Sequence, residues 1–365
     1  MLPNSPPQQF SGVQILRFVA AMLVAVMHVT QAISIHITGQ GNGHYWALGS
    51  SGVDIFFVIS GFVMATSTPA PHADAATRRS HAWTFVKRRL LRIVPLYWFY
   101  TLLKVALLVA MPALAVTSTI DARHLLASLF FIPAMSPWGF MQPTLPVGWT
   151  LNYEMLFYAV FTAAIALGAP RIRFCLAMFG LVFLASALLP GSAALGFYAE
   201  TIVLEFLLGV FIAYLRKNYA SPPLSAAALL LALGLTVMFA IPWAANADRF
   251  LTWGLGAGLV VLGAVWLEPW TARQPGVRPL AFLGDASYSI YLSHTFIVPA
   301  AVMVLHKLGL NIGWLVALLV CSAVIVGGAL SYLWLERPMT AGLKRWLFPK
   351  VAKPVFPRPE STHAK

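Results

Sequence analysis

Charge is scarce in this sequence. Asp, Glu, Lys and Arg make up 10% of its 365 residues, against roughly 25% in a soluble domain. Acid is scarcer than base, with 11 Asp+Glu against 24 Lys+Arg and a net charge of +13. There are two cysteines, Cys175 and Cys321, each inside an apolar run. That excludes a disulfide framework and a CxxC metal site, and no metal is expected. The opening residues, MLPNSPPQQFSG, lack the basic stretch and small-residue cleavage site of a removable signal, so the first apolar run is expected to remain as a helix. There is no internal repeat of short fixed period, and low complexity is confined to Pro-rich ends.

What fills the space is apolar: 59% of the residues are hydrophobic. A soluble core cannot bury that much surface, whereas lipid solvates it. A bilayer core of about 30 Å needs roughly 20 apolar residues per helix. Runs of that kind lie near 12–34, 46–67, 93–112, 146–168, 174–190, 198–215, 223–241, 250–267, 280–304 and 313–336. The expected fold is therefore all-α, a polytopic integral membrane bundle of about ten transmembrane helices. Residues 1–345 form the membrane domain and 346–365 a short basic, Pro-rich tail, while the stretch 124–133 reads as a partial, re-entrant or interfacial helix.

The basic residues fall in alternate connections. On one side lie Arg78, Arg79, Lys87, Arg88, Arg89 and Arg92, then Arg171, Arg173, Arg216, Lys217, Arg273 and Arg278, and in the tail Arg337, Lys344, Arg345, Lys350, Lys353, Arg358 and Lys365. The opposite connections hold Arg123, Arg249 and Lys307, and Arg17 and Lys104 lie in or near helices. This split of 19 to three is the positive-inside pattern, and it places both termini in the cytoplasm. It also accounts for the net charge without a nucleic-acid partner.

An ionisable group inside a spanning helix costs a few kcal/mol on insertion scales and marks function by default. Arg17 and His28 lie 11 residues apart in the first run, on one helix face and about 16 Å apart along the axis. Asp54 and Glu154 fall at comparable depth in the second and fourth runs. The three deep groups read as lining one cavity, in which a carboxylate orients His28 as a general base, or as polar contacts between helices. Arg89 and Arg92, one turn apart, can grip a phosphorylated ligand. Lys87 and Arg88 beside them fit either that role or contact with anionic lipid. In the run from 280, Ser287, Tyr291 and His294 repeat at i, i+4 and i+7, a stripe for packing or for lining a cavity.

Six segments then carry a family resemblance: LRFVAAMLVAVMH, with Arg17 and His28 in an R-x10-H arrangement; GVDIFFVISGF; RRLLRIVPLYW; WTLNYEMLFY; LGDASYSIYLSH; and the closing YLWLERP. In this order, over nearly the whole chain, they resemble acyltransferase family 3, the membrane O-acyltransferases that include exopolysaccharide and O-antigen acetylases. The resemblance implies His28 as catalytic base or transient acyl acceptor, with Arg17 as its partner and Asp54 and Glu154 in the catalytic group. It implies Arg88, Arg89, Arg92 and Ser60 on the side of the acyl donor, acetyl-coenzyme A, and Trp149, Tyr291 and His294 around the substrate. The acceptor would be a carbohydrate or lipid-linked glycan, and the setting the bacterial cytoplasmic membrane, with polysaccharide-assembly proteins as partners. Some members append a soluble domain. This sequence runs about 28 residues past the last apolar run, so acceptor delivery is expected to need a separate partner. Buried His, Asp and Glu also suit a transporter or flippase for a lipid-linked glycan, but the inverted repeats of that class are not evident. A purely structural subunit would not need these charges in the membrane.

Overall fold

The computed structural model describes residues 10–41, 45–69, 74–111, 121–241 and 247–348. Fifteen helices follow one another among them. They are α1 (Ser11–His36), α2 (Gly52–Ser67), α3 (Ala75–Ala110), α4 (Ala122–Leu129), α5 (Trp149–Leu167), α6 (Arg171–Leu188), α7 (Ala193–Tyr198), α8 (Glu205–Asn218), α9 (Leu224–Phe239), α10 (Leu255–Trp266), α11 (Glu268–Thr271), α12 (Val277–Asp285), α13 (Ser287–Lys307), α14 (Gly313–Ser331) and α15 (Arg337–Leu347). Among the described residues there is no strand, only an isolated bridge between Met135 and Met141. The all-α expectation holds.

Seven of the ten apolar runs form helices long and apolar enough to cross a membrane. The other three form shorter helices: α8 with 14 residues, and the apolar α9 with 16 and α10 with 12, the last extended by a π-helical turn, Phe250–Gly254. The stretch at 124–133 is the eight-residue α4 followed by non-helical backbone, too short to span. Leu126, Phe130 and Ile132 point outward from it.

Four boundaries differ from the hydropathy reading. The basic segment ahead of residue 93 is not a loop; it is helical from Ala75, because Asp74 caps the helix by accepting from the backbone N–H of Ala76 and Thr77. The run 198–215 is divided between the end of α7, a 3-10 turn at Thr201–Leu204 and α8. The run 280–304 is two helices, broken between Asp285 and Ser287. The last run continues past 336 through a π-helical turn, Tyr332–Glu336, into α15. Most of the 346–365 tail, from 349 onward, lies outside the described residues.

The centre of the bundle is α1, which packs against α2, α10, α12, α13 and α14. The α2–α8 crossing is close because Gly61 and Gly209 face the opposing backbone: a Cβ at Gly61 would fall on the carbonyl oxygen of Phe206, and one at Gly209 on that of Val58. Small residues that let backbones touch are how helices adhere in lipid, where apolar burial gives no net drive. Gly284 does the same for α12, bringing its end against the carbonyl of Gln14 and setting the α12–α13 break beside Arg17. Large apolar side chains such as Leu229, Trp314, Leu318 and Trp334 stay exposed around the outside, as a lipid-facing surface requires.

Candidate active site

A cavity of about 140 Å³ lies where α1, α2, α3, α5 and the start of α13 meet. Three arginines border it: Arg17 from α1, and Arg89 and Arg92 from α3. Glu154 of α5 and Ser60 of α2 stand in the same wall, with Tyr158, Tyr288 and Tyr291. Ser60 donates to Glu154 Oε1 at 2.9 Å, and Tyr158 donates to the same oxygen at 2.5 Å. With both donors on one oxygen, Oε2 remains available to a cation or a substrate N–H. Gln14 holds Arg17 through its side-chain oxygen at 3.0 Å, and Arg89 donates to Ser67 Oγ at 2.6 Å. A guanidinium pinned by a neighbour keeps donors for a ligand at low entropic cost.

Arg17 also lies within electrostatic reach of Arg92, Glu336, Asp285 and Glu154. Glu336 ends the π-helical turn before α15 and accepts from Ser289 Oγ at 2.6 Å. Irregular turns of this kind recur at functional sites because they re-aim a side chain inward. The sequence reading quoted YLWLERP and gave Glu336 no role. The signal it missed is a carboxylate at the inner end of an apolar run, next to Arg337.

The cavity leads by aromatic contact to a histidine pair. Tyr291 is bound at both ends of the α5 entrance, donating to the Val147 carbonyl at 2.9 Å and lying 3.1 Å from Thr150 Oγ1. Its ring is 5.8 Å from that of His294. His294 is fully buried and stacks on His28 at 5.1 Å between centroids and 27° between planes. Neither nitrogen of His294 has a hydrogen-bond partner among the described residues. His28 is half-buried, and its Nδ1 lies 3.3 Å from Gln31 Oε1. In the tautomer with its proton on Nδ1, that nitrogen donates to the amide oxygen and Nε2 is free to act as a base.

The structure does not bring all the expected residues together. Arg17, Ser60, Arg89, Arg92, Glu154 and Tyr291 border the cavity, with His28 and His294 one contact beyond. The single cavity expected for His28, Asp54 and Glu154 is not formed. Asp54 is fully buried and paired with Arg249, which donates to both its oxygens at 3.0 and 2.7 Å. Glu205 is buried beside that pair, which the sequence reading did not foresee. Arg88 faces α15 instead, its guanidinium 6.0 Å above the Phe348 ring, near Lys87 over Trp83 and Phe348. Trp149 packs edge-on against Tyr153, and its neighbour Thr150 does the lining. No group of three or more metal-ligating residues occurs among the described residues.

A family model described as an acyltransferase domain matches residues 10–334. The chain belongs to acyltransferase family 3. It is accordingly a membrane O-acyltransferase, and its apolar helices make it an integral membrane protein. It is 38% identical to the exopolysaccharide production protein ExoZ of Rhizobium meliloti over 310 residues, which cover 82% of this chain and 92% of the relative. The acyltransferase MdmB of Streptomyces mycarofaciens is 26% identical, covering 88% of this chain and 89% of the relative. The O-acetyltransferase OatA of Staphylococcus aureus is 22% identical over 79% of this chain but 50% of its own length. No solved structure matches the chain.

Proposed function

We propose that this acyltransferase moves an acetyl group from cytoplasmic acetyl-coenzyme A to a hydroxyl of an envelope or exopolysaccharide sugar, from the bacterial cytoplasmic membrane with both termini inside. The carrying observation is the convergence of Arg17, Arg89, Arg92 and Glu154 on one cavity that Tyr291 joins to the His28–His294 stack. A thioester carbonyl under attack gains from fixed cations as charge develops, a sugar hydroxyl needs a base, and the fold brings both together with Tyr291 between them. The relation to an exopolysaccharide production protein supports the acceptor class.

In this mechanism His28 Nε2 takes the proton of the sugar hydroxyl as its oxygen attacks the thioester carbonyl. The C–O bond forms, the C–S bond breaks, and the proton passes from His28 to the departing thiolate, giving the ester and free coenzyme A. Gln31 Oε1, 3.3 Å from Nδ1, is placed to accept from Nδ1–H in the tautomer that this step uses. The arginines keep the donor in register for attack.

The test is transfer by purified protein in sealed vesicles, with labelled acetyl-coenzyme A supplied to one face and an isolated polysaccharide precursor to the other. A protein with Ala247→Cys, at an exposed position, should react with an impermeant reagent from outside the cell, and cysteines at exposed positions within 78–92 should not. Transfer only from donor on the face bearing 247–249 would overturn the direction, and no consumption of acetyl-coenzyme A would overturn the donor.

A further inference from the structure

A second, wider cavity of about 830 Å³ opens at the end of the bundle where α1 and α6 begin and α2 and α8 finish. Its wall shares Val13, Gln14 and Val63 with the small cavity, so the two are neighbouring chambers divided by three side chains. Four cations border the wide chamber: Arg171 and Arg173 from the first turn of α6, and Arg216 and Lys217 from the last turn of α8. Among the described residues no acidic one lines it. Arg171 is anchored, donating to the carbonyl of Pro69 and lying over the Phe161 ring, and Arg216 sits 4.5 Å above the ring of Phe10. Arg173 and Lys217 are exposed.

We infer that this chamber seats the phosphorylated nucleotide end of the acyl donor, with Arg171, Arg173, Arg216 and Lys217 as its phosphate-binding residues. The inference rests on the donor proposed above and assigns the part of it that the inner cavity cannot hold. A space of about 140 Å³ admits an acyl thioester and the start of its arm, not a bisphosphorylated adenosine. The rest must lie outside the dividing side chains, and the wide chamber is the adjoining space with room and with charge of the right sign. Two arginines stabilised by carbonyl and ring contacts form a fixed anion site, and the two exposed cations border the same chamber. Arg89 lies on the border between the chambers, lining the small one while donating to Ser67 of the large one. Phosphoryl groups of anionic lipid share this chemistry, so the experiment separates the two sources.

The measurement uses the full-length protein in nanodiscs of phosphatidylcholine alone, with acetyl-coenzyme A and S-acetylpantetheine, which has no phosphates, as alternative donors. The variant is Arg173→Gln with Lys217→Gln, both exposed and outside the helix packing. The expected result is a KM for acetyl-coenzyme A raised about tenfold, an effect that shrinks in high salt, and a KM for S-acetylpantetheine within about twofold of the unsubstituted value. Adenosine 3′,5′-bisphosphate should compete with acetyl-coenzyme A in the unsubstituted protein and about tenfold more weakly in the variant. An unchanged KM for acetyl-coenzyme A in a variant with normal melting overturns the assignment. So does a dependence on these two residues that appears only when phosphatidylglycerol is present, which would make the chamber a lipid site. If the double variant fails to insert, alkylation of Lys217→Cys, slowed by adenosine 3′,5′-bisphosphate or indifferent to it, decides the same question. Transfer from S-acetylpantetheine but from no coenzyme A thioester would sink the proposed donor itself, a result distinct from any of these.

Discussion

Helix α2 separates two buried charged groups that differ in one respect. On one side Asp54 meets Arg249, both carboxylate oxygens are used, and Glu205 fills the remaining space. On the other, Ser60 and Glu154 face a cavity bordered by three arginines and joined through Tyr291 to a stacked histidine pair. The first group is centred on a closed pair: Arg249 takes both oxygens of Asp54, while Glu205 is buried beside them with neither carboxylate oxygen hydrogen-bonded among the described residues. The second keeps charge beside open space, which is costly for stability and useful for chemistry. The lesson is that depth in the membrane identifies charged residues that matter, while the presence of space identifies those that act.

The sharpest way to break the contrast is to remove one partner on each side. Arg249→Leu leaves Asp54 and Glu205 buried without their cation, and should cost about 3–5 kcal/mol of stability, read as a lowered melting temperature in detergent. Adding Asp54→Leu should return most of it. If the single change leaves melting untouched, the closed group does not hold the fold.

On the open side the effect should appear in rate. His28→Ala should insert and melt normally while losing acyl transfer by about a hundredfold or more, as removal of a general base does. Its binding of the donor should persist, since the phosphate-holding cations lie elsewhere. Transfer at near-normal rate in His28→Ala would remove His28 from the chemistry. His294→Ala is not an independent control, because its ring touches His28 directly.

Smaller effects sharpen the boundary between the two groups. Arg92→Ala should weaken donor affinity by about fivefold to tenfold, more at low salt than at high salt, with melting within about 1 kcal/mol of the parent. Ser60→Ala should be smaller again, about 0.5 kcal/mol or roughly twofold in rate, because Tyr158 still donates to the same Glu154 oxygen and no group is left unsatisfied. A Ser60→Ala loss as large as that of His28→Ala would mean that Ser60 contacts the reacting atoms.

Much of this was legible in the sequence, for reasons that particular residues illustrate. The R-x10-H pair is legible because helical period fixes which residues share a face, and Arg17 and His28 do lie along the side of α1 that meets α13. Arg89 and Arg92 share a cavity because they are a turn apart. The Asp54–Arg249 pair was invisible, since its partners are 195 positions apart and periodicity carries no information across that distance. The break before Ser287 left only a short trace, the Gly284–Ser287 stretch GDAS, which a hydropathy window averages away, and the close approach of Gly284 to the Gln14 backbone there was not legible at all. The early start of α3 was recoverable, because Asp74 two residues ahead of Ala76 is a capping signal that a hydropathy window does not see.

The glycine contact between α2 and α8 has a consequence for what the enzyme can become. Ser60 borders the cavity, and the next residue, Gly61, lies against the Phe206 backbone with no side chain between. One wall of the reaction chamber is thus backed by main chain, and main chain does not yield to a different choice of side chains. Elsewhere the lining is carried by side chains, as where Ile93 of α3 and Tyr288 of α13 border the cavity and the Tyr288 hydroxyl donates to the Ile93 main-chain carbonyl. Selection for a longer or shorter acyl group would act on the side chains that line the chamber, from α3 and α13 and from α2 alike, while the position of Gly61 should hold still.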